Sequence, residues 1–561
     1  MASSQQSWQS IASSKQEKRW SLIPEQWRLS ERYPLGSNVM NVPETCGILT
    51  ATEIELTSHD AVQILSLISD GTYSCESVTV AFCKRAAIAQ QLTNCLTEIY
   101  FEEAIERAKM LDAQRHTSPE EKLGPLFGLP ISIKDSFNIK GSDSTIGFAS
   151  YANKPSHETG KLPELLLDLG AVIHCKTNVP QTMMTFDSDN NVWGRTLNPH
   201  NTAFTAGGSS GGEGALVAMA GSAIGIGTDS GGSIRIPGHV NGVYGLKPTS
   251  DIVPYSGQAF PVHPGMPIFA PSAGPLARSM RDCRFFVQVI LEAGAWSRDA
   301  TCAHISWAPD DSEIQPRKLR IGFVKDDGLL TPTPPVQRSL QEAADKLEAA
   351  GHTLVPIELP QVAEILTAVR KFLTMDSLKF TRSQIEASGE PFIPSVIKMG
   401  LLQEQNHSIL LDDLERLRGE RFVHQQIYND MWRENRLDVI LAPVSSHTSL
   451  PHDQSKHINY TALWNYLDHP GISIPRGIVK STDSVSGAAK YGAIDEEVYA
   501  SYTGPVQYAG IPVSVQLIGL KQDDVHFVLA AELIDRRTIS FYDFLPIPHV
   551  SARIRWTSCT G

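Results

Sequence analysis

The chain has 561 residues, 41% of them hydrophobic, and its 48 Lys+Arg against 61 Asp+Glu give a formal net charge of −13. This composition is typical of a globular protein with a large core, and the acidic excess argues against general nucleic-acid binding, which requires a basic face. The 8 cysteines include no Cys-x-x-Cys pair and the 17 histidines no His-Glu-x-x-His motif, so their spacing predicts neither a disulfide framework nor a zinc site.

Targeting and membrane segments are not predicted. The N-terminus lacks the basic and apolar regions of a signal peptide. The longest nearly apolar stretch, 215–227, has about 13 residues, well short of the ~20 that span a bilayer. The sequence therefore predicts a cytoplasmic protein with no membrane span.

Helices dominate the first part of the chain. Residues 1–50 are rich in Ser and Gln, and a short helix there would form an arm laid over the main body. A helical stripe of apolar residues follows, with Ser58 as its predicted N-cap and Gly71 as its left-handed end. Two further helices are predicted over 77–91 and 101–115, the second with acidic residues in its first turn.

The pattern changes after Gly124-Pro125, where apolar and β-branched residues over 129–135 predict a strand. A helix over 162–169 and a strand over 171–176 follow, and this order favours a parallel sheet with both faces covered. The later elements are predicted helices over 280–293, 336–350 and most of 360–435, and predicted strands over 319–324, 353–359, 437–443 and 511–519. We therefore expect an α/β fold whose sheet takes strands from both ends of the sequence.

Glycine is concentrated between positions 207 and 232, where 10 of 26 residues are Gly. Average usage would give only about two. Two clusters, 207–212 and 228–233, flank a predicted helix over 213–220 and an apolar stretch over 223–227. Each cluster marks a point where the backbone turns sharply or approaches another group closely.

Two general motifs compete to explain these clusters. The nucleophile-elbow pattern Gly-x-Ser-x-Gly matches around Ser209 and around Ser210, but it should follow a strand directly, and residues 198–202 predict a loop. The nearby histidine that could serve such a serine, His239, is more typical of a packed or surface residue. A phosphate-binding loop is disfavoured because the Gly-Lys-Ser/Thr ending is missing.

Taken together, residues 207–249 closely resemble the amidase signature family. The segment contains Gly-Gly-Ser-Ser-Gly-Gly-Glu-Gly-Ala-Leu, Gly-Thr-Asp-Ser-Gly-Gly-Ser-Ile-Arg-Ile-Pro and Gly-Leu-Lys-Pro-Thr in that order. The likeness covers roughly 55–540 through further motifs, namely Gly128-Leu-Pro-Ile-Ser-Ile-Lys-Asp135, Lys176-Thr-Asn178, Gly194-Arg-Thr-Leu-Asn-Pro199, Gly274-Pro-Leu-Ala-Arg278, Trp464-Asn465 and Gly510-Ile-Pro-Val-Ser-Val-Gln516. The N-terminal Ser-Trp-x-x-Ile-Ala and Ile-Pro-x-x-Trp-Arg elements are similar to those of the fungal acetamidase and general amidase branch.

The resemblance implies a Ser, cis-Ser, Lys triad. At the matching positions Ser233 is the nucleophile, Ser209 the bridging serine and Lys134 the base. A lysine accepts a proton at neutral pH only if burial lowers its pKa by about 3 units from ~10.4, and the apolar strand around Lys134 suits that requirement.

The resemblance also implies the groups around the triad. The expected oxyanion hole consists of the backbone N–H groups of Ser230, Gly231, Gly232 and Ser233. The residues expected to hold these loops are Ser210, Asp229 and Arg235, with Asn178 and Arg195 bracing their neighbours. Met183, with Met184 and Phe186, is a candidate for the acyl pocket, although Met and aromatic runs are more often core.

Each of these residues also has a plainer interpretation. A lysine beside an aspartate, as in Lys134-Asp135, is by default solvated or ion-paired. Serines among glycines are usually loop and cap residues. The triad is favoured because three long motifs occur together in the family's order.

The resemblance implies the fold class α/β, with a single large amidase-signature domain whose mixed twisted β-sheet is covered by helices on both faces. We expect this domain over 55–545, with an N-terminal helical arm over 1–54 and a C-terminal tail over 546–561. The expected reaction converts a carboxylic acid amide to the acid plus ammonia or an amine through a serine acyl-enzyme, with no cofactor and no metal. The expected partner is a small-molecule amide, and a homodimer is compatible with the sequence.

Alternatives remain for the substrate and for the class of function. A fatty-acid-amide-type hydrolase or a secondary-metabolite amidase is compatible with the motifs, but membrane-anchored fatty acid amide hydrolases carry a transmembrane helix that residues 1–50 lack. Short aliphatic or aromatic amides are therefore favoured. The alternative of another class is a non-catalytic or complex-bound amidase-like subunit, against which the complete triad and the fungal-type arm argue.

Overall fold

The computed structural model describes residues 7–117, 123–263, 265–266, 269–309, 317–403, 410–485 and 487–536. The tail predicted over 546–561 lies outside these residues. The strands are β1 Leu96–Ile99, β2 Pro130–Lys134, β3 Val172–Thr177, β4 Leu197–Asn198, β5 Asn201–Thr205, β6 Ile224–Asp229, β7 Tyr244–Lys247, β8 Ser272–Ala277, β9 Arg320–Phe323, β10 Thr353–Pro356, β11 Val439–Pro443, β12 Gly471–Ile478 and β13 Pro512–Ile518.

Eleven of these strands form one mixed sheet, in the order β1-β3-β2-β6-β8-β7-β12-β13-β11-β9-β10, while β4 and β5 form a separate hairpin. The neighbours are parallel in β3-β2-β6 and in β11-β9-β10. The pairs that join these two groups are antiparallel. The predicted parallel pairing of β2 with β3 and the contribution of both ends of the sequence to one sheet are confirmed.

The α-helices of the described residues are Trp8–Ser21, Val42–Thr45, Ala51–Ser58, Ala61–Ser69, Cys75–Thr93, Phe101–Thr117, Lys161–Asp168, Gly211–Ala218, Arg235–Asn241, Met280–Glu292, Pro334–Ala349, Val362–Leu373, Lys379–Ser388, Pro394–Lys398, Leu411–Asn435, Asn459–Leu467, Ala493–Ala500 and Asp524–Ile534. The helices cover both faces of the sheet. Along β11, Val439 and Leu441 pack into one buried cluster while Ile440 and Ala442 pack into another, as expected when successive side chains point to opposite faces.

Two local predictions were wrong. Ser58 was predicted to cap the apolar helix, but it ends the preceding helix, Ala51–Ser58. The cap is Asp60, which has extended backbone angles and accepts a hydrogen bond from the Gln63 N–H at 2.9 Å. A loop was predicted over 198–202, but only residues 199–200 form a turn. The others belong to the strands of the β4–β5 hairpin.

The N-terminal helix, Trp8–Ser21, is held to the edge of the sheet by buried ion pairs. Lys15 is only 5% exposed, and its Nζ lies 2.5 Å from Glu98 Oε1 and 2.9 Å from Asp143 Oδ2. Lys15 and Arg19 both lie over the Trp193 ring, 5.2 and 5.1 Å from its centre. No helix in the described ranges is long and apolar enough to cross a membrane.

These contacts make the arm sensitive to one side chain. We expect Lys15→Met to destabilise the fold, because removing one partner of a buried ion pair leaves uncompensated charge at a cost of about 3–5 kcal/mol. Lys18→Met, on an exposed position of the same helix, is the matched control and should change little. Thermal unfolding followed by circular dichroism measures the difference, and equal midpoints for the two variants would contradict the role of Lys15.

Candidate active site

Lys134, the predicted base, ends β2 and is completely buried. Its Nζ donates hydrogen bonds to Ser209 Oγ at 2.6 Å and to Thr228 Oγ1 at 2.8 Å. Burial lowers the pKa of Lys134 to about 7, against the opposing effect of the negative charges on Asp229 and Glu213. An amine with that pKa is partly neutral at pH 7 and can accept a proton.

Ser209 lies in the first glycine cluster, next to this amine. It is 2% exposed, and the peptide bond between Gly208 and Ser209 is cis. A Cβ atom at Gly208 would lie 2.4 Å from the Thr185 carbonyl oxygen, so only glycine fits at that position. The following residue, Ser210, donates its hydroxyl to the Thr228 carbonyl oxygen at 3.3 Å and so joins the cluster to the end of β6.

Ser233, the predicted nucleophile, lies in the turn between β6 and the Arg235–Asn241 helix. Its backbone carbonyl accepts a hydrogen bond from the Ser210 N–H at 3.2 Å, which connects the two glycine clusters. Its hydroxyl contacts a cavity and has no hydrogen-bond partner in the part of the chain that the structure describes. The structure thus brings Lys134 and Ser209 into direct contact and places Ser233 on the adjoining loop.

A buried ion pair holds the second glycine cluster. Arg235 binds the Asp229 carboxylate with two nitrogens, at 3.0 Å and 3.1 Å, and both side chains are fully enclosed. Burial alone would raise the pKa of Asp229, but Arg235 outweighs this effect and holds it well below its usual value. Asn465 completes the group by donating to Asp229 Oδ1 at 2.8 Å and accepting from Arg235 at 2.7 Å.

The backbone N–H groups of the second cluster do not all point the same way. The Gly232 N–H donates to Asp229 Oδ1 at 2.7 Å. The N–H groups of Ser230, Gly231 and Ser233 have no hydrogen-bond acceptor within the described ranges. Three of the four predicted oxyanion donors are therefore unpaired, and the fourth helps to fix the loop.

The cavity at Ser233 has a volume of about 110 Å³. Ser230, Gly231 and Ser233 form one wall of it. The remaining wall is mostly apolar and includes the predicted pocket residue Met183, together with Met184, Phe186, Val369, Met399 and Ile458. The predicted acyl-pocket residues thus lie beside the predicted nucleophile.

Three other sequence predictions concern residues near the site. His239 is fully enclosed, and burial lowers its pKa to about 4 while its Nε2 lies 3.0 Å from the His447 carbonyl oxygen. Asn178 donates to the Gly194 carbonyl oxygen at 2.8 Å, and Arg195 pairs with Asp189 at 2.7 Å, so both brace loops as expected. Across the described residues, no three His, Cys, Asp or Glu side chains are grouped so as to hold a metal ion.

Several contributors to the site were missed in the sequence. Thr228 shares the Lys134 amine with Ser209, and Thr461 donates to the Gly231 carbonyl oxygen at 2.7 Å. Asn465 belongs to the Trp464-Asn465 motif, which contributed to the family resemblance but predicted no role for Asn465. Thr228 stands directly before Asp229 in the second cluster, so its position was a usable signal. Thr461 lies outside every motif, three residues before Trp464.

Known proteins similar to this chain are amidases. The model of the Amidase family matches residues 77–528. An acetamidase from Aspergillus oryzae is 34% identical over 543 residues, covering 94% of this chain and 98% of the relative, and an amidase from Gibberella moniliformis is 36% identical over 541 residues with the same coverage. A solved fatty acid amide hydrolase has a TM-score of 0.88 and 29% identity, covering 94% of this chain and 95% of that one.

The fold and these likenesses define an enzyme that hydrolyses the C–N bond of amides. The chain belongs to the amidase family with the amidase signature, and fungal acetamidases and amidases are among its relatives.

The buried ion pair gives a testable expectation for the second cluster. Asp229→Asn leaves Arg235 as an unpaired buried charge, so we expect a loss of about 3–5 kcal/mol in the free energy of unfolding together with a loss of amide hydrolysis. Asp413→Asn removes a carboxylate from an exposed pair with Arg416, and it should change the stability by less than about 1 kcal/mol. Denaturant unfolding and a hydrolysis assay on both variants decide the matter, and similar stabilities would refute the importance of the buried pair.

Proposed function

We propose that the protein hydrolyses a small carboxylic acid amide through an acyl-enzyme on Ser233, with Ser209 passing the proton between Ser233 and Lys134. The observation that carries this proposal is the contact of a fully buried lysine amine with a serine hydroxyl at 2.6 Å. That lysine has a pKa of about 7 because of its burial, which suits a general base near neutral pH.

The first half of the reaction is acylation. The Ser233 oxygen attacks the amide carbon while its proton moves to Ser209, and the Ser209 proton moves to Lys134. The oxyanion that forms on the carbonyl oxygen accepts hydrogen bonds from the N–H groups of Ser230, Gly231 and Ser233. In oxyanion holes of this kind, the loss of one donor raises the activation free energy by about 3–4 kcal/mol. Ser209 then gives a proton to the leaving nitrogen, the C–N bond breaks, and Lys134 returns its proton to Ser209.

The second half is hydrolysis of the acyl-enzyme. A water molecule loses a proton to Ser209 as its oxygen attacks the acyl carbon, and Lys134 again takes the Ser209 proton. The tetrahedral intermediate collapses, the Ser233 oxygen recovers a proton through Ser209, and the acid leaves. Ser209, Ser233 and Lys134 have the same protonation states before and after the cycle. The net products are therefore the acid and either an amine or ammonia.

The nucleophile can be tested by covalent labelling. A fluorophosphonate probe reacts with an activated serine hydroxyl, so we expect it to label the enzyme and not the Ser233→Ala variant. We also expect Ser233→Ala to lower kcat by about 10⁴-fold or more. Mass spectrometry of the labelled protein gives the modified residue. Labelling that persists in Ser233→Ala would overturn the proposal.

The size of the cavity supports a short acyl group. An engineered cavity of about 150 Å³ binds benzene, so the space of about 110 Å³ beside Ser233 suits a short aliphatic chain or a single ring. The name of the Aspergillus oryzae relative, acetamidase, points the same way. The likeness to a fatty acid amide hydrolase keeps a long acyl chain as the alternative substrate.

A hydrolysis screen separates these substrates. We expect turnover of acetamide or benzamide to exceed that of a long-chain fatty amide in kcat/KM, because the space beside Ser233 is small. Ser233→Ala, assayed beside the wild type, corrects for contaminating hydrolases. Exclusive turnover of the long-chain amide would favour the fatty-acid-amide alternative and refute the short-acyl proposal.

A further inference from the structure

A second, smaller cavity adjoins the cavity at Ser233, and Phe186 and His457 line both of them. We call it the side chamber. Its volume is about 10 Å³, which is roughly the space that one water molecule needs. The buried residues Thr205, Ile236, His239, Val240, His447 and Leu450 form much of its wall.

The wall of the side chamber is built partly by the segments that carry the two serines of the site. Ile236 follows Ser233 at the start of the next helix, and its N–H donates to the Gly232 carbonyl oxygen at 2.7 Å. Phe186 packs against the first glycine cluster, since a Cβ atom at Gly208 would lie 3.0 Å from Phe186 Cα. The side chamber therefore borders the loops of both Ser209 and Ser233.

Two imidazole rings give the side chamber hydrogen-bond acceptors. His239 Nε2 lies 3.0 Å from the His447 carbonyl oxygen, and because a carbonyl oxygen only accepts, Nε2 carries the ring proton and Nδ1 is an acceptor. That Nδ1 atom is enclosed and has no hydrogen-bond partner among the described residues. In His447 the roles are reversed, since Nδ1 lies 2.8 Å from the Thr448 carbonyl oxygen and Nε2 is the acceptor.

Both rings are neutral near pH 7, because burial lowers the pKa of each to about 4. A buried acceptor without a partner costs free energy. His239 Nδ1 therefore favours a small molecule that donates a hydrogen bond and fits a space of this size.

The geometry of an amide indicates which molecule this is. The amide carbon has three substituents in one plane. Its oxygen faces the N–H groups of the second glycine cluster, and its acyl group occupies the apolar cavity beside Ser233. In the proposed reaction the third substituent, the nitrogen, receives its proton from Ser209. The side chamber borders the Ser209 loop through Phe186, so it is the space on the side of the nitrogen.

We propose that the side chamber is the leaving-group subsite and that it admits only an unsubstituted nitrogen, so the substrates are primary amides and the amine product is ammonia. This inference rests on the proposed function. As the C–N bond breaks, its electron pair stays on the nitrogen, Ser209 donates a proton to give ammonia, and Lys134 returns a proton to Ser209. Ammonia has one heavy atom, as water has, and can donate a hydrogen bond to His239 Nδ1. An N-methyl group adds a second heavy atom for which the side chamber has no room.

Matched pairs of substrates test this inference. We compare kcat/KM for benzamide with N-methylbenzamide and for acetamide with N-methylacetamide. The wild type should favour the primary amide by about 10–200-fold, the effect of one such group in a pocket. Leu450→Ala shortens an apolar side chain in the wall to a methyl group, so we expect it to reduce this preference by about 10-fold.

His239→Ala gives an independent variant of the same wall. It should reduce the preference in the same direction and also lower kcat/KM for the primary amide, because the acceptor is lost. Labelling by the fluorophosphonate probe shows that Ser233 is still reactive in each variant, so the ratio of the two substrates remains measurable if stability falls.

Leu340→Ala and His174→Ala are the matched controls. Leu340 is a buried leucine of the main core cluster. His174 is a buried histidine whose Nε2 lies 2.9 Å from the Gly221 carbonyl oxygen, a contact of the same kind as that of His239. Neither is among the described residues that line the two cavities. Both variants should lower stability and leave the preference for primary amides unchanged.

Equal turnover of the paired amides by the wild type would overturn the inference, as would the same preference in the wild type, Leu450→Ala and His239→Ala. If His239→Ala slows both members of a pair equally and Leu450→Ala keeps the wild-type preference, the side chamber serves the water of the second half-reaction and the leaving-group assignment is wrong. The proposed function fails separately, if fluorophosphonate labelling persists in Ser233→Ala.

Discussion

An amine that is cut off from solvent resists protonation, and in this protein that amine belongs to Lys134. The hydroxyls of Ser209 and Thr228 accept hydrogen bonds from the amine. Because both hydroxyls are neutral, they do not hold the amine in its charged form. The carboxylates of Asp229 and Glu213 act on it through space instead. A direct carboxylate contact would hold the proton on Lys134, so its absence leaves the amine able to accept a proton, as the proposed function requires.

The sheet brings these groups together. β2 lies between β3 and β6, and all three strands are parallel, so their carboxyl ends meet at one edge. Lys134, Thr177 and Asp229 are the last residues of those strands. The two glycine clusters approach that same edge, and the backbone bond from Ser210 to Ser233 joins them.

Much of this arrangement could be predicted from local patterns in the sequence. The strand–helix–strand order gave the parallel pairing around β2, and the glycine clusters marked the loops that contact Lys134. The choice between Ser58 and Asp60 as a cap could not be made, because both side chains can accept the required bond and the preceding helix decides between them. The direction of the Gly232 N–H depends on where the Asp229 carboxylate lies, which the motif does not encode.

Contacts between distant parts of the chain were also beyond the sequence patterns. Lys15 reaches Asp143 across 128 positions, and no periodicity connects a polar N-terminal helix to that partner. The second glycine cluster is also held by residues far away in the sequence. Asn465 lies 236 positions after its partner Asp229, and Gln516 lies 281 positions after its partner Arg235. Synthesis proceeds from the N-terminus. A ribosome-bound chain that already contains Lys134, Ser209 and Ser233 therefore still lacks the side chains that fix the second glycine cluster, and the site is completed only when the last part of the sheet has emerged.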